Sequence, residues 1–286
     1  MKSLLFPEVD KKTYVMGIIN LTSDSFSGDG LYNKSNPTEA ALIQARQFIA
    51  DGADVLDLGA ESTRPGSQPV SSETEIDRLL PAIAAIKAAL PEALISIDTY
   101  KAATADACLK AGAQIINDVW GFQSDPNMAA TVAAFGATGI LMHNRAFRDK
   151  VEKTDLGGRF VDLPEEDIVN VVKTWLEKSI DLARSAGLSD EHIILDPGIG
   201  FGKTTSQSLH LLKHLNEISN LGYPLMLGVS RKSFIGYTLK VQAEERLEGS
   251  LAANAYGVLN GANILRVHDV RATVRLARML DAIRAA

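Results

Sequence analysis

LISIDTYKAATADACLKAGAQIINDV, residues 94–119, reads as strand, helix and strand in quick succession. Leu94 to Asp98 and Gln114 to Asp118 are short apolar runs that stop on an acid or an amide, and Lys101 to Ala111 between them is helical in composition, with Gly112 placed to end it. Two strands joined by such a crossover lie parallel in one sheet. Working outward, the pattern repeats at Tyr14 to Asn20, Asp54 to Gly59, Thr138 to His143, His192 to Asp196, Pro224 to Ser230 and Asn263 to His268. Helical stretches separate these runs. They fit Thr38 to Asp51, Ser72 to Leu90 (with Ser72 and Glu75 at capping-box spacing), Asp125 to Phe135 and Glu165 to Ala186. Ser206 to Asn216, Lys232 to Thr238, Ala243 to Asn260 and Asp269 to Ala285 complete the set. Eight alternations of strand and helix predict a closed parallel α/β barrel of the TIM type, (β/α)8, as a single domain over residues 1–286. In that architecture the carboxyl ends of all strands meet at one mouth, so the polar stops converge on one site.

Length and composition agree. A chain of 286 residues with 46% hydrophobic content can bury a large core, and a net charge of −6 argues against a general nucleic-acid binder. Met1 to Lys12 carries charges and no signal-like apolar region, and no run is long enough to span a bilayer, so a soluble, cytoplasmic protein is expected. The lone Cys108 reads as a small core residue. Two connections exceed what the chain path needs. Leu21 to Asn36, rich in Ser, Gly and Asp, reads as a lid, and the polar Asn144 to Leu163 as a solvated, mobile excursion.

Asp98, Asn117 and Asp196 end three different strands, and two carboxylates with an amide suit a flat heterocycle carrying adjacent N–H and amino donors. A divalent-metal site is the rival for that set, but His or further carboxylates at ligand spacing are lacking. Arg64, Arg231, Lys232, Arg266 and His268 form a cationic set; Arg266 and His268 alternate about Val267 and therefore share a strand face, which suits a diphosphate. The glycines of Pro197 to Lys203 lack the Walker ending, and read better as a backbone that passes under a planar ligand while Phe201 covers it. His210 and His214 share a helical face without the glutamate of a zinc motif, and no Ser-His-Asp or Cys-His assembly is legible. The site binds two things and stabilises charge.

Seven ordered segments resemble the dihydropteroate synthase family of folate biosynthesis across essentially the whole chain. They are MGIINLTSDSFSGDG (Met16 to Gly30), DLGAESTRPGS (Asp57 to Ser67), SIDTYK (Ser96 to Lys101), INDVWG (Ile116 to Gly121), DPGIGFGK (Asp196 to Lys203), GVSRKSFIG (Gly228 to Gly236) and ILRVHDV (Ile264 to Val270). The resemblance implies joining of a 7,8-dihydropterin-6-ylmethyl diphosphate to 4-aminobenzoate with release of pyrophosphate. It assigns Asp98, Asn117, Asp196 and Lys232 to the pterin's polar edge, and Val119, Met142, Phe201 and Arg266 to its faces. Asn20, Arg64, Arg266 and His268 would hold the diphosphate, with Mg²⁺ bound through the Asn20 side-chain oxygen, and Phe26, Thr63, Pro65, Lys232 and Ser233 would form the aminobenzoate pocket. Catalysis is expected from Arg64, Lys232, Arg266 and His268, with Asp24 stabilising a cationic pterin when the lid closes. The resemblance also implies a homodimer and ordinary competition by sulfonamides. The chain departs from the family pattern at Ser23, at Ala60, in the Gly28-Asp29-Gly30 order and at HNRAFRDK after the fifth strand, positions that bear on loop geometry and aminobenzoate affinity. Two other readings are a pterin-dependent methyl-transfer module and a non-catalytic pterin-binding paralogue. Lys232-Ser233-Phe234 and Arg266-Val267-His268 speak against the first, and Asn20, Arg64 and His268 against the second.

Overall fold

The computed structural model describes residues 3–22, 30–31, 34–62, 69–145 and 150–286. In chain order the elements are β1 (Tyr14–Asn20), α1 (Pro37–Ala50), β2 (Val55–Gly59), α2 (Ser72–Ala89), β3 (Leu94–Asp98), α3 (Ala102–Lys110), β4 (Ile115–Asp118), α4 (Met128–Ala134) and β5 (Thr138–Met142). There follow β6 (Val151–Thr154), β7 (Gly157–Phe160), α5 (Ile168–Ser185), β8 (Ile193–Asp196), α6 (Thr205–Lys213), α7 (Leu215–Ser219), β9 (Met226–Leu227), α8 (Ser233–Leu239), α9 (Leu247–Leu259), β10 (Ile264–Val267) and α10 (Val270–Ala285). Eight strands form one sheet in the order β8-β5-β4-β3-β2-β1-β10-β9, and a parallel bridge between Leu195 and Leu225 joins its two ends. The expected barrel is present.

Alternation along each strand sorts residues between two cores. Outward-facing Val15, Ile19, Leu56, Leu58, Ile95, Ile97, Leu195 and Leu265 pack with the helices in the larger cluster. Inward-facing Tyr14, Met16, Val55, Ile115, Ile140, Ile194, Met226 and Ile264 form a smaller cluster, which Phe6 and Val9 of the N-terminal segment close from below. Every inward position two residues further along its strand is therefore nearer the mouth. Those positions include Asp57, Asn117, Asp196 and Arg266, so a polar layer lies directly on the apolar one. Gly17 faces outward, where a Cβ would sit 2.5 Å from the Phe48 ring; its bareness lets α1 close on β1.

Several boundaries differ from the sequence expectation for identifiable reasons. The α2 cap is Ser71, whose Oγ accepts from the Thr74 amide, rather than Ser72. Glu75, at capping-box spacing from Ser72, instead turns inward and is fully buried, accepting from the hydroxyls of Thr99 and Thr104. Helix α4 begins at Met128 because the Asp125 carboxylate is occupied by the amides of Ala102 and Asn127. Strand β9 is only Met226–Leu227, where Pro224 to Ser230 reads as a full strand; the Leu225 amide bonds the Asn263 side chain instead of a strand carbonyl. The stretch 206–216 is split at His214, and 243–260 divides into a short 3-10 turn and α9 around the buried Arg246.

Within the connection after β5, the described part is an antiparallel hairpin, β6 with β7, rather than an irregular excursion. It is tied to α8 and to the start of α9: the Tyr237 hydroxyl donates to Gly157 O at 2.8 Å, and the guanidinium of Arg246, the residue before α9, donates to Leu156 O at 3.0 Å. Most of the expected lid after β1 lies outside the described residues. Cys108 is buried, and burial, with Glu75 beside it, pushes its thiol up to about 12. No helix among the described residues is long and apolar enough to cross a membrane.

Candidate active site

On the floor of the mouth, Arg266 is the hub. Its Nε donates to Asp57 Oδ2 and its Nη2 to Asp98 Oδ2, both at 2.6 Å, and Asp57 Oδ2 also accepts from Asn117 Nδ2 at 3.3 Å. These four residues come from β2, β3, β4 and β10. Burial opposes charge on Arg266, but Asp57 and Asp98 outweigh it and hold the guanidinium protonated more firmly than usual. Asp98 is displaced the other way. Burial, opposed by Arg266 and reinforced by Asp57, Glu75 and Asp118, raises its carboxyl to about 7. Asn117 Oδ1 and Asp57 Oδ1 are buried and have no hydrogen-bond partner among the described residues, so the floor keeps spare acceptors for a donor-rich ligand.

Asp196 joins this floor from β8. A Cβ on Gly228 would lie 3.9 Å from both Arg266 Cβ and Asp196 Oδ2, which puts the two residues on either side of that glycine. Burial raises the Asp196 pKa, against the pull of Lys232, the Gly198 amide, Arg266 and Lys203. The loop that follows is held by basic side chains at four carbonyls: Lys203 takes Gly198 O and Phe201 O, Lys232 takes Ile199 O, and Arg145 takes Gly202 O. Lys232 Nζ also lies 4.5 Å from the centroid of the Phe201 ring, and burial lowers its pKa to about 8 although Asp196 opposes this. Val119 and Met142 are buried beside the strand ends, Met142 in register with Asp196. The three acceptors expected from sequence therefore share one wall with Phe201, Lys232 and Arg266.

Around the rim, His268 follows β10, and its Nδ1 lies 3.1 Å from Ser230 Oγ, which joins it to the turn after β9. Ser233 opens α8 directly after Lys232. Arg231, counted with the cationic set in sequence, has a structural task. Its guanidinium pairs with Asp269 through Nε and Nη2 at 2.9 and 2.6 Å, its amide bonds Ser250 Oγ, and its φ of +55° is the left-handed region that side chains rarely adopt. Asn20 is the last residue of β1, on the inward parity of that strand. Asp24, Phe26, Thr63, Arg64 and Pro65 lie outside the described residues. Just before the latter three, Glu61 accepts from the Val70 amide, the Tyr100 hydroxyl and Lys101 Nζ, and so ties together the two ends of the intervening segment.

Asp57, Lys203, Ser230 and Glu61 are the members that sequence reasoning missed. Asp57 had a signal, because it stands two residues beyond the inward Val55 and hence in the interior. The other three are defined by bonds to distant segments.

As for metals, the described residues contain no group of three or more His, Cys, Asp or Glu able to hold an ion. Asn20 offers one neutral oxygen. That donor set suits a hard cation that completes its shell with substrate oxygens and water, as Mg²⁺ does, rather than one caged by protein.

Comparison with known proteins gives a consistent picture. A match to the family described as pterin binding enzyme spans residues 16–268. A dihydropteroate synthase of Clostridium beijerinckii is 45% identical over 276 residues, covering 96% of each chain. The crystal structure of dihydropteroate synthase from Clostridium difficile in the presence of pteroic acid superposes with a TM-score of 0.85 at 42% identity, covering 96% of this chain and 97% of that one. The Xanthomonas albilineans dihydropteroate synthase with 4-aminobenzoic acid gives 0.86 at 35% identity, over 97% and 95% of the two chains.

Proposed function

The chain belongs to the dihydropteroate synthases within the pterin-binding enzyme family, and from that premise we propose which of its residues bind each substrate and how the reaction proceeds. The reaction condenses 7,8-dihydropterin-6-ylmethyl diphosphate with 4-aminobenzoate to give 7,8-dihydropteroate and pyrophosphate. The observation that carries the assignment is a floor of acceptors (Asp98, Asn117, Asp196) adjoining a rim of cations at a single barrel mouth.

In this reading the amino-lactam edge of the pterin donates to Asp98, Asn117 and Asp196, while Lys232 turns from Ile199 O to the ring carbonyl. Val119, Met142, Phe201 and the Arg266 guanidinium cover the ring. The diphosphate extends toward Asn20, Arg64, Arg266 and His268. Mg²⁺, held by the Asn20 oxygen together with substrate oxygens, would add positive charge where the leaving group gathers negative charge. The bond from the pterin methylene carbon to the diphosphate oxygen breaks and pyrophosphate departs with the electron pair. The cations of the rim favour that step. The lone pair of the aromatic amine then forms the new C–N bond and the amine loses a proton to solvent or pyrophosphate. That amine is neutral near pH 7, so no strongly basic residue is needed. Asp24 stabilises the cationic pterin, and Phe26, Thr63, Pro65, Lys232 and Ser233 seat the aminobenzoate.

A homodimer is part of the same proposal. Tyr256 and Leu259 on α9, and Met279 and Ile283 on α10, expose apolar side chains on neighbouring helices, which a second copy would cover. The deciding assay is pyrophosphate release with both substrates and Mg²⁺. Release that depends on 4-aminobenzoate is expected; none at all would leave only a pterin binder.

A further inference from the structure

Lys203 is 2% exposed and lies directly beneath the glycine loop. Its Nζ is 2.6 Å from Gly198 O, 3.1 Å from Phe201 O and 2.7 Å from His143 Nδ1. All three partners are neutral, and among the described residues no carboxylate pairs with it. Burying a lysine in this way is costly, and an apolar side chain would fill the same space. The three hydrogen bonds offset part of that cost.

Gly198 receives Lys203 at its carbonyl while its own amide donates to Asp196 Oδ1 at 2.7 Å. The backbone there has φ +65°, and a Cβ would sit 1.9 Å from His143 O, so the loop is pressed against the residue that also partners Lys203. Phe201, whose carbonyl is the second point held, carries the ring that faces Lys232. One amine thus grips the loop at the residue that aims Asp196 and at the residue that presents the aromatic face.

We propose that Lys203 is a positioning residue for pterin capture, acting through Gly198 and Phe201 to set Asp196 and the aromatic cover. The inference rests on the pterin reading of this site.

The grip does not depend on the charge of the amine. Burial, together with Arg145 and Lys232, lowers the Lys203 pKa well below the usual value, against the pull of Asp196. Burial and the same cationic side, Lys203 and Arg145, hold the His143 imidazole neutral, its pKa down to about 2. An ammonium donates to both carbonyls and to His143 Nδ1. A neutral amine still donates to both carbonyls and accepts from a His143 Nδ1–H instead. In either form the loop is held.

The test compares K203M, which removes every donor, with K203Q, whose amide keeps two N–H groups, and with D196N as a reference for the site. In K203M the KM for the pterin diphosphate should rise about tenfold or more, the loss of roughly one well-made hydrogen-bond clamp, while kcat and the KM for 4-aminobenzoate stay within about twofold. K203Q should lie between K203M and the parent chain, and D196N should show the same selective rise. A parental pterin KM in K203M beside a raised one in D196N would overturn the role of Lys203 and leave the site reading standing. An unchanged pterin KM in D196N would overturn the site reading itself. Equal loss for both substrates, or a K203Q no better than K203M, would reduce Lys203 to a packing residue. If K203M does not fold, K203Q carries the test: a rise confined to the pterin KM supports the proposal, and a rise shared by both substrates overturns it.

Discussion

On the floor of the mouth, Asp57, Asp98, Asn117, Asp196 and Arg266 are strand residues, each fixed by the backbone ladder and by its neighbours' side chains. On the rim, Lys232 and His268 sit on turns and Ser233 opens α8, and what fixes this part is a set of bonds made by neighbouring residues. Arg231 is held at its amide by Ser250, at its carbonyl by Arg246 and at its guanidinium by Asp269. The difference teaches that the two parts of the mouth are positioned by separate means, one inherited from the barrel and one assembled locally. Strand-borne residues should therefore fail together with stability, and turn-borne ones without it.

The largest expected effect is D57A. Removing the Asp57 carboxylate leaves Arg266 half-paired in a buried site, and breaking such a pair costs about 3–5 kcal/mol, measurable as a lowered denaturant midpoint. A loss under about 1 kcal/mol would mean that the floor is not a single ionic unit. Next is D98N, which should raise the pterin diphosphate KM by about tenfold to a hundredfold, since hydrogen bonds to charged groups contribute roughly 1.5–3 kcal/mol, with the aminobenzoate KM little changed.

The parent chain should show the same dependence on pH. The Asp98 carboxyl is raised to about 7, mainly by burial. As pH falls through that value the group gains a proton and loses acceptor capacity, so kcat/KM for the pterin should fall on the acid side with an inflection near 7. A flat profile from about pH 6 to 8 would contradict this. The smallest effect belongs to the rim. D269A releases Arg231 at a partly exposed ion pair and should cost at most about 1 kcal/mol of stability, yet it should raise the aminobenzoate KM several-fold by loosening the turn before Lys232. Equal sensitivity of floor and rim to unfolding would erase the contrast.

Much of this was legible beforehand, for physical reasons that can be named. Apolar runs ending on polar residues reveal parallel strands and their mouth, whereas the alternation expected to put Arg266 and His268 on one face runs out at Val267, where β10 ends. Asp98, Asn117 and Asp196 were readable because each ends a run. Asp57 was not, because it lies inside one, and an acid in mid-strand is noticed only when parity is counted from Val55. The bonds of Arg231 to Asp269, Lys203 to His143 and Arg246 to Leu156 link segments far apart in the chain, and no local pattern encodes them. The same holds for β9, shortened by the distant Asn263 side chain, and for Ser71, which won the cap because Glu75 was drawn into the interior.

Beneath the rim, three carboxylates (Asp57, Asp98, Asp196) stand against the Arg266 guanidinium, so the deepest part of the cavity is net acidic once Asp98 is ionised. A molecule with a neutral bicyclic head and a multiply anionic tail meets repulsion if it enters tail first and hydrogen-bond acceptors if it enters head first. The polarity of the well thus sorts the two approaches before any contact is made.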